Sequence, residues 1–496
     1  MQVRYRVNSA TLRGIDAVPV EVEVLVSSGL PAFSIVGMPD TAVQEARERV
    51  KAAIRASGFT MPGEKVVVNL APGAIKKTGS GFDLPIAVGI LAATKQIPVS
   101  VIEHALIIGE LSLEGQIRPV AGLLAFALCA RQQGLSFICA EPDDGLIALE
   151  GLKQNCAASL SSFRIEEFAD ARYMHRKKPV NQIDYADAAG LDFVKRAFQI
   201  AAAGSHGILL MGPPGSGKTM LASRLPSILP PLTEAEKLET ALIHSVSGLD
   251  TSSILAGTRP FRSPHHSMTT AGLVGGGNPI RPGEISLAHN GVLYLDEISE
   301  FKPATLQGIR QPMESNRITI TRADGNLDFP ARFMLVAASN PCPCGYFGDP
   351  EIPCSCSAMQ VRNYQNRIGG PLMDRVGIRI HVWRTDPAHV LQAGKGTNSE
   401  TLKQGVLCAR EFSAYRKEKQ KSDYQKKGSA ALVRECVLSQ EDERFMEDMA
   451  ASYHMSGRGI MKTLSIARTI ADMEEKMSVT RGHLCEALGL RNQEES

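Results

Sequence analysis

A lysine and a hydroxyl residue placed directly behind a glycine-rich loop form the first constellation in this sequence that could do chemistry. The run is Gly212-Pro213-Pro214-Gly215-Ser216-Gly217-Lys218-Thr219. Glycines at that spacing let successive backbone N–H groups turn inward toward phosphate oxygens. Lys218 can then reach β- and γ-phosphates, and the Thr219 hydroxyl can complete a Mg2+ shell. Two carboxylates, Asp296 and Glu297, end a second apolar run, Val292-Leu293-Tyr294-Leu295. Asp296 is suited to hold Mg2+ through water, and Glu297 to polarise an attacking water as general base. Asn340 ends a third run, residues 333–339; its amide can orient that water or sense the γ-phosphate, although Asn after a strand is also an ordinary turn residue. Together these residues imply a nucleoside triphosphate site. Four thiols follow, Cys342-x-Cys344 and Cys354-x-Cys356, on an irregular loop rich in Gly and Pro. Four thiolates so grouped suit a tetrahedral structural Zn2+.

The elements that must position these groups are legible around them. Ile208-Leu209-Leu210-Met211 reads as a buried strand and Met220 to Leu225 as the start of a helix, so the loop sits at a strand-to-helix turn. An amphipathic helix, Asp192 to Ala203, precedes it. From about residue 386 the chain is helical in character: Thr401 to Glu418, Gly459 to Met477 and Thr480 to Leu490. Lys417 to Lys427 reads as a polar loop between two of these helices. The first 170 residues alternate strands with helices. Val18 to Val26 has period-two alternation, Asp40 to Ser57 is an amphipathic helix, and Lys65 to Leu70 is a strand. Phe82 to Thr94 and Gly122 to Gln133 are helices, Ala105 to Leu113 and Gly115 to Val120 strands joined by a turn, and Ser136 to Ala140 a further strand. The polar, basic run Arg172 to Pro179 reads as a linker.

Composition narrows the function classes. The chain has 496 residues, enough for about three domains, and 54 Lys and Arg against 52 Asp and Glu. With a net charge of +2, any nucleic-acid surface must be a local patch. One Trp and nine Tyr disfavour a base-stacking platform. No apolar run reaches membrane-span length and the N-terminus lacks a signal-peptide core, so a cytoplasmic protein without membrane contact is expected. In that compartment the remaining cysteines, Cys129, Cys139, Cys156, Cys408, Cys436 and Cys485, are expected to be reduced and buried.

Two resemblances add to this. Ile108 to Leu123 is similar to the segment of the Lon protease that carries its catalytic lysine, and Lys77 to Asp83 falls where Lon has its nucleophile serine. The serine position is occupied by Gly81 and the lysine position by Leu124; Ser80 is one residue away but has no lysine partner. The resemblance implies a Lon-protease-like α+β domain over residues 1–170 without its catalytic dyad, serving interaction or regulation.

The second resemblance covers nearly the whole chain, ending near Asn492. Arg259-Pro-Phe-Arg-Ser-Pro-His-His-Ser, Gly275-Gly-Gly-Asn-Pro, the run from Arg281 to Glu297, and Asn340-Pro-Cys-Pro-Cys-Gly resemble magnesium-chelatase-like AAA+ ATPases of the ComM/YifB family. It implies an α/β P-loop AAA+ core at 184–385 after a linker at 171–183, and a C-terminal helical lid at 386–496. It further implies a homo-hexameric ring with ATP sites between subunits. Asn340 then takes the place of sensor 1, Arg375 that of the arginine finger acting on a neighbour's phosphates, with Arg367 as second candidate, and Arg458 that of sensor 2, reaching back to the nucleotide from the lid. Val376-Gly377 departs from the family's Ile-Asp, and Ser465 replaces an arginine.

Arg317 to Phe329 reads as a β-hairpin with Asp324-Gly325-Asn326 at its turn. In the resembling clade such a hairpin faces DNA in the ring pore, which makes Arg322 the phosphate-contact candidate, with Arg317 and Arg332 behind it. The Gly- and Pro-rich stretch Arg259 to Pro282 corresponds to the clade's helix-2 insert; His265-His266 within it has a loop role. The expected function is therefore an ATP- and Mg2+-dependent motor for translocation or branch migration of branched or single-stranded DNA in natural transformation. Two alternatives stand: a chelatase-type ATPase that remodels a protein partner without DNA, and an ATP-dependent protease using Ser80.

Overall fold

The computed structural model describes residues 2–100, 102–143, 145–173, 183–322, 325–384, 396–420 and 429–491. Most of the linker, the boundary near 386, residues 421–427 of the expected polar loop, and Asp324 at the hairpin turn lie outside the described residues; Lys417 to Gln420, expected in that loop, instead continue the helix Ser399–Gln420.

An α/β protein with three parts results. The N-terminal part is built on a mixed eight-stranded sheet. Its longest strands, Gln2–Arg13 and Asp16–Ser27, form one antiparallel hairpin in register from Gln2 opposite Ser27 to Arg13 opposite Asp16. Alternating Val20, Val22, Val24 and Val26 are buried, which is what a one-sided sheet requires of a period-two pattern. Helix Asp83–Ala93 is buried along its whole length. It lies so close to the sheet that a Cβ at Gly89 would stand 2.6 Å from Val24 Cγ2. Asp83, fully buried at its start, is held by Arg49 Nε at 2.6 Å; burial raises its pKa against the pull of that guanidinium.

The central part carries a five-stranded, all-parallel sheet in the order Phe261–Arg262, Val292–Leu295, Met334–Ser339, Ile208–Met211, Ile378–His381. Ile208–Met211 enters first, yet pairs on both sides with strands that come later. The chain therefore reverses direction across the sheet at this strand. At such a switch point the ends of neighbouring strands open a crevice for ligand.

The C-terminal helices Ser399–Gln420, Gly457–Met473 and Arg481–Gly489 do not form a separate core. Val406, Leu464, Ile466 and Leu484 share one apolar cluster with helix Asp192–Gly204 and with Ile208, Val336 and Ile380 of the sheet. Beneath that packing, Arg416 is 1% exposed and is held by Asp472 (2.9 Å) and Glu435 (3.1 Å), while Arg468 reaches Asp472 at 3.1 Å. Ser465, which replaces the resembling family's arginine, borders a cavity beside this network. Cys129, Cys139, Cys156 and Cys436 are buried as expected; Cys408 and Cys485 are exposed, because each falls on the outer side of its amphipathic helix.

The N-terminal part docks on the opposite side of the central sheet. Helix Leu123–Gln132 lies along helix Glu234–Val246, with Gly122 N–H donating to Ser245 O at 2.9 Å and Leu124 N–H to Ser245 Oγ at 3.4 Å. Leu124 is thus an interface residue. At Gly81 a Cβ would meet Ile108 Cδ1 at 2.8 Å, and the Ser80 hydroxyl is tied to Glu110. Among the described residues no helix is long and apolar enough to cross a membrane.

Candidate functional site

The phosphate loop leaves the C-terminal end of strand Ile208–Met211 and turns into helix Lys218–Ile228. Gly215 and Gly217 have φ of 78° and 88°, a region closed to most side chains. A Cβ at Gly212 would collide with Val382 O, just past the last strand. The loop bounds a cavity of about 440 Å3 lined by residues 214–220, Asp296, Glu297 and 338–340. That volume is of the order of a small-molecule site.

Polar contacts converge in this cavity. Lys218 Nζ donates to Gly212 O (2.8 Å), Pro213 O (2.9 Å) and Asn340 Oδ1 (3.3 Å). Its pKa is lowered by burial, opposed by the charges of Asp296 and Glu297. Tyr294 OH donates to Thr219 Oγ1 at 3.2 Å, and Thr219 Oγ1 donates to Asp296 Oδ2 at 2.9 Å. Burial raises the Tyr294 pKa, so this phenol keeps its proton and serves as a fixed donor. Thr219 and Asp296 thereby present a hydroxyl and a carboxylate side by side, two hard oxygen ligands of the kind Mg2+ takes. Glu297 is held at φ 48°, ψ 50°, a conformation that costs a non-glycine residue about 1–3 kcal/mol. Strain of that kind concentrates at functional sites.

One neighbour of Glu297 went unassigned on spacing alone. His266, given only a loop role, has Nδ1 3.5 Å from Glu297 Oε2 and its ring tilted against that of His265 at a centroid distance of 4.1 Å. The stretch beginning at Arg259 is also not all insert. Phe261–Arg262 is the edge strand of the central sheet, pairing with Val292 and Leu293. What remains as an inserted hairpin is Gly275–Gly276 against Arg281–Pro282, between the short helices Thr270–Val274 and Glu284–Leu287.

A second hairpin stacks on that one. Strands Arg317–Arg322 and Gly325–Pro330 pair in register, Ile318 buried opposite buried Phe329. Arg322 Nη2 donates to Gly277 O at 3.1 Å, joining the two tips. Arg281 and Arg322 are exposed near these tips, whereas Arg317, also exposed, sits at the base of the second hairpin opposite Pro330. Arg332 is not part of this group, because it is bound to Glu236 (2.9 Å) and Asn290. Gly14, at the turn of the N-terminal hairpin, faces the other side of the hairpin, where a Cβ would lie 3.6 Å from Leu327 Cδ2.

Arg375 and Arg458 do not line the phosphate cavity of their own chain. Both guanidinium groups converge on a single carboxylate: Arg375 Nη2 donates to Glu314 Oε1 at 2.6 Å and Arg458 Nη2 to the same oxygen at 3.2 Å. Arg367 is engaged elsewhere, 3.5 Å from Glu300 and over the Tyr364 ring.

The four cysteines come together. Cys342, Cys344 and Cys354 sulfurs are separated by 3.3, 3.6 and 3.5 Å, and all four lie within 4.8 Å of one another. Tetrahedral zinc with Zn–S bonds of about 2.3 Å needs sulfur separations of about 3.8 Å, so a small expansion accommodates the ion. Backbone N–H groups already point at the sulfurs, Phe347 N at Cys342 (3.3 Å) and Cys356 N at Cys354 (3.4 Å). The cluster is consistent with a zinc site.

Fold and cavity together define a P-loop ATPase with a parallel α/β core and a helical C-terminal region. Residues 184–390 match the family described as magnesium chelatase, subunit ChlI; residues 22–143 match subunit ChlI of Mg-chelatase, and 396–491 its C-terminal region. YifB of Salmonella typhimurium is 41% identical over 494 residues, covering 98% of this chain and 96% of its own. Competence protein ComM of Haemophilus influenzae is 38% identical over 501 residues, covering 98% and 97%. The magnesium-chelatase 67 kDa subunit of Chlorobaculum tepidum is 27% identical over 202 residues, 40% of this chain and 26% of that one. The chain belongs to the YifB/ComM family of magnesium-chelatase ChlI-like proteins. A ChlI-type ATPase domain implies hydrolysis of ATP with Mg2+.

Proposed function

We propose that the chain is an AAA+ motor that assembles as a homo-hexameric ring in the cytoplasm and couples ATP hydrolysis to branch migration of recombination intermediates in natural transformation. The observation that carries the DNA part is the pair of stacked hairpins, joined by Arg322 and Gly277 and bearing two exposed arginines, Arg281 and Arg322, near their tips. In an otherwise charge-balanced chain they make a local cationic tip of the kind that grips phosphates without reading bases. The likeness to competence protein ComM over 98% of this chain supports the same reading.

In this account Gly212 to Thr219 cradle the triphosphate and Lys218 neutralises its β- and γ-oxygens. Thr219 and Asp296 hold Mg2+, which supplies charge to the transferring phosphoryl group. Glu297 takes the proton of the attacking water, and Asn340 positions that water. Arg375 and Arg458, neither of which lines its own chain's phosphate cavity, complete the site of the adjoining subunit; the contact with Glu314 supports a shared role for the two. The N-terminal part, on the resemblance to Lon, is a protease fold that regulates instead of cleaving. The collision at Gly81 and the interface position of Leu124 support that assignment. Zinc at the four cysteines completes the cofactor set.

A second reading, remodelling of a protein partner as in a chelatase, draws on the ChlI matches along all three parts. ATP hydrolysis measured with and without branched DNA separates the two. Stimulation by DNA that is lost in Arg322→Ala supports the motor, and indifference to DNA supports remodelling.

A further inference from the structure

Cys342 follows Asn340 by two residues, so the metal-binding loop starts where the γ-phosphate sensor ends. Its return path lies on the phosphate loop itself. Gly345 has φ of 89°, and a Cβ built there would stand 2.7 Å from Pro214 Cδ and 4.0 Å from Asn340 Cγ. Only a residue without a side chain lets this backbone sit on the ring of Pro214. On the other side of the same loop, Lys218 fixes Pro213 O at 2.9 Å. The Pro213-Pro214 segment is thus clamped between the catalytic lysine and the cysteine loop. The middle of the cysteine loop is anchored to the segment that follows the last strand: Trp383 Cη2 would lie 3.5 Å from a Cβ at Gly348, and Arg384 stacks on Tyr346 and stands 4.0 Å from Asp349.

We infer that zinc held by Cys342, Cys344, Cys354 and Cys356 braces the phosphate loop through the Gly345–Pro214 contact, so that nucleotide affinity depends on metal occupancy. The inference rests on the ATPase reading and on zinc at the cluster. Without the ion, this loop has little regular structure and is held near Pro214 by its backbone turns and the contacts of Trp383 and Arg384, none of which ties the two cysteine pairs together. With it, two cysteine pairs are tied at one point and the stretch from Asn340 to Cys356 becomes a rigid wedge. The phosphate loop then keeps its anion-binding shape before ATP arrives, which is preorganisation.

The test uses the full chain carrying Cys408→Ser and Cys485→Ser, which removes the exposed thiols. Zinc is measured by elemental analysis in protein purified without chelator, and equilibrium affinity is measured with a fluorescent ATP analogue in Mg2+. Expected are one zinc per chain, its loss in Cys354→Ser with Cys356→Ser, and an affinity for nucleotide weakened about tenfold in that variant. Pro214→Ala keeps its zinc, and removing the cysteine pair in that background changes affinity by less than about twofold, since the contact that carries the effect is already gone. Should the cysteine variant fail to fold, stepwise removal of zinc from the parent protein, followed by Trp383 fluorescence beside nucleotide affinity, gives the same comparison. Absence of zinc overturns the inference, as does an affinity unchanged when zinc is lost. A chain that holds zinc but binds no nucleotide instead refutes the ATPase reading, and the brace falls with it.

Discussion

Replacing Glu314 by glutamine keeps the shape of the side chain and removes the charge on which Arg375 and Arg458 meet. The Arg375 side chain is 14% exposed and 2.6 Å from Glu314, whose own side chain is 51% exposed. The Arg458 side chain is 62% exposed at 3.2 Å. After screening, the tighter pair is worth about 1 kcal/mol and the exposed one about a third of that. If both arginines act on the phosphates of an adjoining subunit, that energy opposes their engagement. Glu314→Gln then makes productive assembly easier by about 1–1.5 kcal/mol, or about fivefold to tenfold. The assay is ATP hydrolysis as a function of protein concentration: the concentration giving half-maximal specific activity should fall by that factor. Thermal stability should change by less than about 1 kcal/mol, as for other surface pairs. Unchanged or reduced hydrolysis at every concentration, in a variant of undiminished stability, would refute the idea that the carboxylate holds back trans-acting arginines.

Other consequences are equally direct. Glu297→Gln should slow hydrolysis about a hundredfold or more while nucleotide affinity is kept, as quench-flow and equilibrium binding would reveal; equal loss of both would make Glu297 a binding residue. Asp472→Ala strips the carboxylate from Arg416 and Arg468, both almost fully buried, and should destabilise the C-terminal helices by about 3–5 kcal/mol in denaturant unfolding. His206 is buried between the first core strand and the C-terminal helices, its Nε2 2.8 Å from Thr469 Oγ1. Since Thr469 spends its hydroxyl hydrogen on Ser465 O, the imidazole proton sits on Nε2. Burial lowers the His206 pKa from 6.5 to about 3. The unfolded chain therefore binds the proton first, and stability present above pH 6.5 is lost as pH falls toward 3, by on the order of 3–5 kcal/mol. In His206→Gln, which keeps a donor for Thr469, the urea midpoint should fall less steeply over that interval; an identical slope would show that His206 titrates freely.

What the sequence disclosed and what it hid follow from the range of the interactions involved. Ile208–Met211, the phosphate loop and Val292–Leu295 are legible because each is a local pattern, an apolar run that ends in the residues of the site. The hairpin at Arg317 was equally plain from its alternation and turn. Helix Pro303–Ser315, which carries Glu314, has no clear sequence signature, because Pro303 and Pro312 interrupt its helical pattern. Pro303 stands at the first helical turn, where its missing N–H costs nothing, and Pro312 falls just before the left-handed stop at Asn316. Phe261–Arg262 is too short to carry a period and was absorbed into the insert. The convergence of Arg375 and Arg458 on Glu314, 61 and 144 residues away along the chain, has no local signature at all. Nor has the seat of Gly345 on Pro214, which depends on the loops after two adjacent interior strands meeting at their C-terminal ends.

In the proposed motor, hydrolysis at Lys218, Asp296 and Glu297 moves DNA held by the stacked hairpins. This coupling is tested most directly by following a synthetic four-way junction with the wild-type chain, Glu297→Gln and Arg322→Ala, each with ATP and with a non-hydrolysable analogue. Expected are separation of the junction arms by the wild type with ATP alone, none by Glu297→Gln, and in Arg322→Ala weaker binding with a log-affinity versus log-salt slope shallower by about one. Steady ATP hydrolysis that neither responds to the junction nor migrates it would contradict the coupling.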